Sequence, residues 1–445
     1  MTNVSEAVDP KLADAVAEGG KLRATVMELW QRTRMDWGFV TDRLSVTFRK
    51  ERWIGSHERR FISETLYGIV RNLRRIDLAL ERATKTKRAP KDLERLLALL
   101  VLEGELAPAR AAKVAPDLDW TQVLGVDALI AGERKLVKRI ALASSLPDWL
   151  AGRLVADWGD RAEPLARALN ERAPMTVRAN TLIGDRASLA ALLRQEKLET
   201  HPGEWSDTAL VIDSRTNLFA TEAFTVGAFE AQDEGSQLLA ELATPTAARP
   251  LVVDYCAGAG GKTLAIAARL ANRGRIVATD IDDRKLEELR RRARRATVSN
   301  ARSLRVDDRE LDAMNQQADL VFVDAPCTGT GALRRNPEAR WRMRESELAG
   351  FAARQLQIVT DAKRLLAPGG TLVYATCSVL AVENAEVVTQ ILAMHRDLEA
   401  VPLAERFGVD RAAALGGRPS DPDALTVTPD RHGTDGFYAR LFRRT

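Results

Sequence analysis

Leu251-Val-Val-Asp-Tyr-Cys-Ala-Gly-Ala-Gly-Gly-Lys-Thr-Leu264 decides the fold of this chain. Residues 251–253 form an apolar run of the length of a short buried strand. Gly258, Gly260 and Gly261 follow, and residues 263–270 carry helical spacing. Strand, glycine turn and helix N-terminus together bring backbone N–H groups close to a ligand. A second strand, residues 275–279, ends in Asp280. A carboxylate there can accept from both hydroxyls of a ribose. That is the layout of a nucleoside-cofactor site. The glycines alone do not name the cofactor, because the dinucleotide spacing is incomplete. Cys256 and Ala257 also leave Gly261-Lys262-Thr263 without the upstream glycine of a P-loop.

Outward from this stretch toward the C-terminus, strand and helix patterns alternate. Strands are predicted near 251–255, 275–279, 302–306, 319–323 and 371–376. Such alternation means an α/β fold with a doubly wound, Rossmann-like parallel sheet. Ligands of such sheets sit at the carboxyl ends of the strands, where residues 256–262, Asp280, Asp307, Asp324 and Cys377 fall. Residues 428–442 read as a loop and a final strand that closes the sheet.

Toward the N-terminus, residues 1–20 read as a loose lead-in and 22–142 as almost wholly helical. The clearest helix opens at Ser56, read as its N-cap, and runs to Arg82. Ile62, Leu66, Ile69, Leu73, Ile76 and Leu80 form one apolar stripe on it. Off that stripe lie Arg59, Arg60, Arg71, Arg74 and Arg75, with Arg82, Lys85, Lys87 and Arg88 just beyond. Such a face is either solvated or set against phosphates. Residues 59–77 resemble the helical RNA-binding domain of the NusB type; 105–140 match it poorly. From 146 to 243 the pattern is helices to 170, a strand at 175–179, a helix at 186–195 and a strand at 209–213. That is a small α+β module of RRM-like size. Three domains are expected: 1–145, 146–243 and 244–445.

Composition sets the partners. Lys and Arg exceed Asp and Glu, 66 to 62, for a net charge of +4 and a pI near 9.0. With arginine clustered, this permits an anionic partner such as RNA. No apolar run is long enough to span a membrane, and the polar, acidic start is unlike a signal peptide. Cys256, Cys327 and Cys377 lie far apart without CxxC spacing, which fits neither a disulfide framework nor a zinc site. No metal is expected, and a reducing cytoplasm is the expected setting. No extra apolar stripe is evident, which favours a monomer.

Asp324-Ala-Pro-Cys-Thr-Gly-Thr-Gly331 follows one apolar strand, and Ala375-Thr-Cys-Ser378 ends the next. Cys327 and Cys377 thus both follow strand termini facing one crevice, whereas Cys256 reads first as a small core residue. With Asp254-Tyr-Cys-Ala-Gly-Ala-Gly-Gly-Lys-Thr263, Arg335-Asn-Pro-Glu338 with Trp341, Glu383-Asn384 and His432-Gly-Thr-Asp-Gly-Phe437, these motifs make residues 147–445 resemble a known family. It is the NOL1/NOP2/Sun group of RNA cytosine-C5 methyltransferases. The basic helix suggests its bacterial RsmB (Sun) subgroup, which acts on small-subunit rRNA. One position departs: the family usually has proline where this chain has Ala259.

The resemblance implies S-adenosylmethionine as methyl donor. Cys256, Ala257, Gly258, Ala259, Gly260, Gly261 and Lys262 would hold its methionine portion, Asp280 the ribose, and Asp307 the adenine amino group, with Asp324 beside them. It implies Cys377 as the nucleophile on carbon 6 of cytosine, Cys327 as the group assisting product release, and Asp324 as the hydrogen-bond partner of the ring. Lys262 is a candidate electrostatic helper for a thiol, or a plain turn lysine. Arg334 and Arg335, with Arg340 and Arg342, could clamp phosphates or belong to an ordinary charged loop. An exocyclic-amine methyltransferase would instead show Asn/Asp-Pro-Pro-Tyr/Phe at the fourth strand. A nicotinamide dehydrogenase gives neither cysteine a role. A tRNA substrate, or a non-catalytic RNA-binding assembly factor, remain as alternatives.

Overall fold

The computed structural model describes residues 10–445 apart from Lys85, Lys87, Arg215 and Pro419. The basic positions 85 and 87 and residues 1–9 of the N-terminal lead-in therefore lie outside the described residues. The chain divides into two compact units. One is Met1–Glu171 together with Leu333–Glu345; the other is Arg172–Ala332 with Ser346–Thr445.

The first unit is helical. It holds α1 (Pro10–Glu18), α2 (Gly20–Asp36), α3 (Val40–Lys50), α4 (Ser56–Ala83) and α5 (Asp92–Leu102). Short helices from Pro108 to Ala143 follow, then α6 (Asp148–Trp158) and α7 (Ala162–Asn170). The described part of the lead-in is helical, with Ala13, Val16 and Ala17 of α1 buried in the core of this unit. Helix α4 follows its predicted stripe: Ile62, Leu66, Ile69, Ile76 and Leu80 are buried, and Leu73 packs half-buried against the same core. Its N-cap is Gly55, with Ser56 the first helical residue.

The basic face of α4 is largely consumed by this unit itself. Arg75 donates to Asp127 at 2.7 and 2.8 Å and to Glu103 at 3.0 Å. Arg74 pairs with Asp148 and donates to the Leu146 carbonyl, and Arg71 donates to the Arg334 carbonyl at 2.8 Å. Arg59 donates to the Ile54 carbonyl, and Arg88 forks onto Glu94. Arg71, Arg74 and Arg75 are therefore corrected from a phosphate-facing row to intramolecular clamps. Arg59 and Arg60 remain exposed.

Leu333–Glu345, expected beside the active strands, belongs to the helical unit. Arg340 is fully buried; its Nη1 donates to the Ser144 carbonyl and to Asn170 Oδ1, both at 2.7 Å. Trp341 donates to the Val70 carbonyl, and its ring lies 5.7 Å from that of Trp37. Arg334 is 4% exposed. A guanidinium so buried cannot meet a phosphate, which removes Arg334 and Arg340 as an RNA clamp. Arg335 stays half-exposed.

The second unit begins with a small sheet of β1 (Met175–Ala179), β2 (Thr200–Pro202), β3 (Ala209–Ile212) and β4 (Phe229–Ala231), in the order β2-β3-β1-β4 and antiparallel throughout. Val177 and Ala179 face helix α8 (Arg186–Gln195), whose Leu189 and Leu193 share their core. Arg178 and Glu230 are buried among polar groups on the other face of this sheet.

Helix α9 (Glu234–Leu242) leads into the large sheet. Its parallel strands are β5 (Leu251–Asp254), β6 (Arg275–Asp280), β7 (Ala301–Arg305), β8 (Ala318–Asp324) and β9 (Leu366–Thr376). The strands β10 (Leu398–Val401), β11 (Leu425–Val427) and β12 (Phe437–Arg444) complete it in the order β10-β12-β9-β8-β5-β6-β7, with β11 against β12. Strand β12 runs antiparallel to β9, so the sheet is mixed at that edge. Helices α10 (Gly261–Arg269), α11 (Asp283–Arg295), α12 (Leu348–Lys363) and α13 (Ala385–Met394) accompany the strands. Val252, Ile276, Leu320 and Val373 point into one core layer, and Val253, Val277, Val321 and Leu372 into another. This period of two, buried on both faces, is what a central parallel sheet requires. The reversal of strand order between β5 and β8 puts a crevice at the carboxyl ends. Among the described residues no helix is long and apolar enough to cross a membrane.

Candidate active site

The turn after β5 is built on two left-handed glycines, Gly258 at φ 55° and Gly260 at φ 84°. A Cβ on Gly260 would lie 2.6 Å from Leu289 Cγ, so only glycine lets the turn pass α11. A Cβ on Gly258 or Gly261 would meet nothing within 4 Å, which leaves open space beside the turn. The N–H groups of Gly261, Lys262 and Thr263 open α10 and have no carbonyl of their own helix to reach. Asp280, at the tip of β6, accepts from the N–H of Gly258 and of Asp282, both at 2.9 Å. It thereby locks the turn to the neighbouring strand.

Asp254 is 1% exposed; its Oδ2 accepts from Thr263 Oγ1 at 2.6 Å, while Oδ1 has no protein partner. Burial pushes its carboxyl up to about 7; the Thr263 hydrogen bond opposes this and the charge of Asp324 adds to it. Asp254 ends β5, so this buried oxygen without a protein donor lies at the root of the glycine turn. Ile281, the next residue after Asp280, is 68% exposed at the strand tip, where it can cover an adenine face. Sequence reasoning passed over Ile281, although an apolar residue directly after the acid was a readable signal. Asp307 lies just beyond β7, exposed and paired with Arg305.

The two cysteines meet. Cys327 follows β8, Cys377 follows β9, and their Sγ atoms stand 3.2 Å apart. Contact with Cys377 and then burial push the Cys327 thiol well above its ordinary range, with the charge of Glu383 adding. Lys262 Nζ sits 2.6 Å from Asp324 Oδ2 and 5.7 Å from the centre of the Phe437 ring. Its side chain is 17% exposed, so it is not a solvent-facing turn lysine. Burial pulls its ammonium down, but Asp324 outweighs that and Cys377 contributes, leaving it held above the usual lysine value. Burial likewise raises the Cys256 thiol, with Asp324, Asp254 and Asp280 nearby.

Glu383 had no role in the sequence reading beyond its place in a motif. It is fully buried. Its Oε1 accepts from Thr328 N at 2.9 Å and Gln355 Nε2 at 3.1 Å; its Oε2 accepts from Thr328 Oγ1 at 2.5 Å and Ser378 Oγ at 2.6 Å. One carboxylate thus ties the residue after Cys327 to the residue after Cys377. Asn384 adds a bond to the Ser378 carbonyl at 2.9 Å and accepts from Thr376 at 2.6 Å.

A Rossmann-like sheet with a glycine turn against a strand-tip acid at its carboxyl ends is the architecture of an S-adenosylmethionine-dependent methyltransferase. The model of the 16S rRNA methyltransferases RsmB/F matches residues 242–443, and the ferredoxin-like domain of the RsmF/B-like methyltransferases matches 146–218. The ribosomal RNA small subunit methyltransferase B of Vibrio cholerae is 30% identical over 399 residues, covering 85% of this chain and 87% of that protein. The protein of the same description from Xylella fastidiosa is 32% identical over 346 residues, covering 75% and 78%. A solved methyltransferase homologue from Pyrococcus horikoshii superposes with a TM-score of 0.59 at 25% identity, covering 70% of this chain and 100% of that one. The chain belongs to the RsmB/F methyltransferase family, and S-adenosylmethionine is its cofactor.

Proposed function

We propose that this protein methylates carbon 5 of a cytosine in small-subunit ribosomal RNA through a covalent bond between Cys377 and carbon 6 of the base. The observation that carries the reading is the 3.2 Å contact between Cys327 and Cys377 beside the Lys262–Asp324 pair. Methyl transfer to a nitrogen or oxygen has no use for two adjoining thiols. Transfer to carbon 5 of a pyrimidine does, because that carbon is a poor nucleophile until a thiolate has added at carbon 6. The rRNA substrate is supported by the names of the relatives.

The turn 256–261, Lys262 and Asp280 would hold the cofactor, with Asp254 near its cationic groups and Ile281 and Asp307 at the adenine end. Bound S-adenosylmethionine supplies an electrophilic methyl group. Cys377, as thiolate, adds to carbon 6, and the displaced ring electrons accumulate at carbon 5 and along the N3 edge. Asp324 has one oxygen on Lys262 and the other to accept from the exocyclic amine, which orients the ring, while the Lys262 ammonium offsets the negative charge that addition spreads toward N3. After methylation a water molecule in the crevice takes the carbon-5 proton as the carbon 6–sulfur bond breaks. The C–H electrons restore the ring double bond and the C–S electrons return to Cys377. Cys327 touches that sulfur and assists the release. The base must reach the crevice unstacked, and exposed Arg59 and Arg60, with half-exposed Arg335, would contact RNA backbone.

The test is transfer of labelled methyl from S-adenosylmethionine to total RNA of a strain lacking the gene, followed by nucleoside analysis. Label in 5-methylcytosine of small-subunit rRNA is expected. Label in tRNA would overturn the substrate, label in any other nucleoside the chemistry, and cofactor binding without transfer the catalytic reading.

A further inference from the structure

The cofactor turn of this chain is held from outside itself. Ala259 lies between the two left-handed glycines, and its own side chain does nothing to fix the backbone there. A proline fixes its own φ near −65°, whereas alanine between two glycines leaves the backbone free to rotate. A constraint is supplied by the neighbouring helix. Arg292 Nη1, on α11, donates to the Ala259 carbonyl at 2.8 Å.

That guanidinium is itself held on its other edge. Arg292 Nη2 and Nε donate to Glu230 Oε2 at 2.9 and 3.3 Å, and Arg295 pairs with Glu230 Oε1. Glu230 is 2% exposed on β4, so its carboxylate has little solvent to turn toward. The Arg292 side chain is 18% exposed. A planar fork with one edge on a buried carboxylate can present its remaining N–H in only one direction. That direction is the carbonyl of residue 259.

We propose that Glu230 and Arg292 are positioning residues for the S-adenosylmethionine turn, replacing the rigidity that a proline would give at 259. The inference rests on the reading that the 256–261 turn holds the cofactor. Neither residue touches the reacting atoms, so the strut acts on cofactor affinity and not on the bond-making steps. It also joins the small sheet, through β4, to the cofactor turn.

Calorimetric titration of the purified full chain with S-adenosylmethionine tests this, with thermal unfolding recorded for each variant. Arg292→Ala should weaken binding about tenfold, the scale of one charge-assisted hydrogen bond. Arg292→Lys should lose nearly as much, because an ammonium keeps the Glu230 ion pair but cannot bridge to the carbonyl as a fork does. It carries the test if the alanine variant fails to fold. Glu230→Gln should weaken binding, and Glu230→Gln with Arg292→Ala should bind no worse than Arg292→Ala alone. At saturating cofactor, kcat should stay within about twofold of wild type while KM for the cofactor rises. Unchanged affinity in both Arg292 variants, or losses that add in the double variant, would overturn the proposal. Asp280→Ala separates the two readings. If it leaves affinity intact, the turn is not the cofactor site. If it abolishes binding while the Arg292 variants do not weaken it, only the strut fails.

Discussion

Asp254 couples the chemistry of the site to the stability of the fold. Its carboxyl ionises near 3.8 when unperturbed and near 7 in the folded protein, where burial is the main cause. Between those values the folded state holds a proton that the unfolded state has released. This contribution to stability is therefore full below about 4, falls as pH rises to about 7, and then stays lost. Asp254→Asn cannot ionise and keeps an acceptor for Thr263. Comparing chemical unfolding at pH 5 and pH 8, Asp254→Asn should gain on wild type by up to about 1.4 kcal/mol per pH unit across the window. Parallel pH profiles would contradict the assignment.

At the scale of elements, the site is a matter of how the loops after β8 and β9 are pinned to each other. Glu383 does this through four hydrogen bonds. Glu383→Ala should separate the sulfurs and lower kcat on the order of a hundredfold, as misplacement by about an ångström does. Its cofactor affinity should stay within about twofold, since none of its bonds reaches the 256–261 turn; Glu383→Gln, which keeps one acceptor, should recover part of the rate. Gly331 is a second pin: a Cβ there would lie 2.0 Å from the Gly436 carbonyl oxygen. Gly331→Ala should displace the segment entering β12 and destabilise the protein by about 1–3 kcal/mol, read as a lower Tm.

How much of this was legible in the sequence follows sequence distance. Strand, turn and acid lie within thirty residues of one another at 251–280, and their local pattern predicts β5, β6 and the glycine turn at the observed places. The cysteines were readable as strand-end residues, but their contact joins positions 50 apart. The roles of Glu383 and Arg292 are set by still longer pairings, 55 and 62 residues apart to Thr328 and Glu230. The arginines failed in the other direction. A basic helix face looks the same in sequence whether its partners are phosphates or the carboxylates of its own unit, such as Asp127 and Glu103 for Arg75.

At the scale of the whole molecule, the helical unit is completed by a segment from far down the chain. Leu333–Glu345 contributes buried Arg340 to the Ser144 carbonyl and Asn170, and Trp341 to the Trp37 cluster. Arg340→Ala leaves those acceptors buried without a donor and opens a void. It should destabilise the helical unit by about 2–4 kcal/mol. Hydrogen exchange should then quicken in Met1–Glu171 and Leu333–Glu345. Uniform protection in the variant would show that the segment is not integral to that unit.

The central claim is a bond between Cys377 and the base. The most direct measurement is intact-mass analysis of the protein after incubation with small-subunit rRNA and S-adenosylmethionine, followed by nuclease digestion under denaturing conditions. Cys327→Ala should accumulate a methylated cytidine nucleotide bound to the peptide carrying Cys377, whereas Cys377→Ala and the double variant should carry none. An adduct on Cys327, or full turnover by Cys377→Ala, would contradict the account.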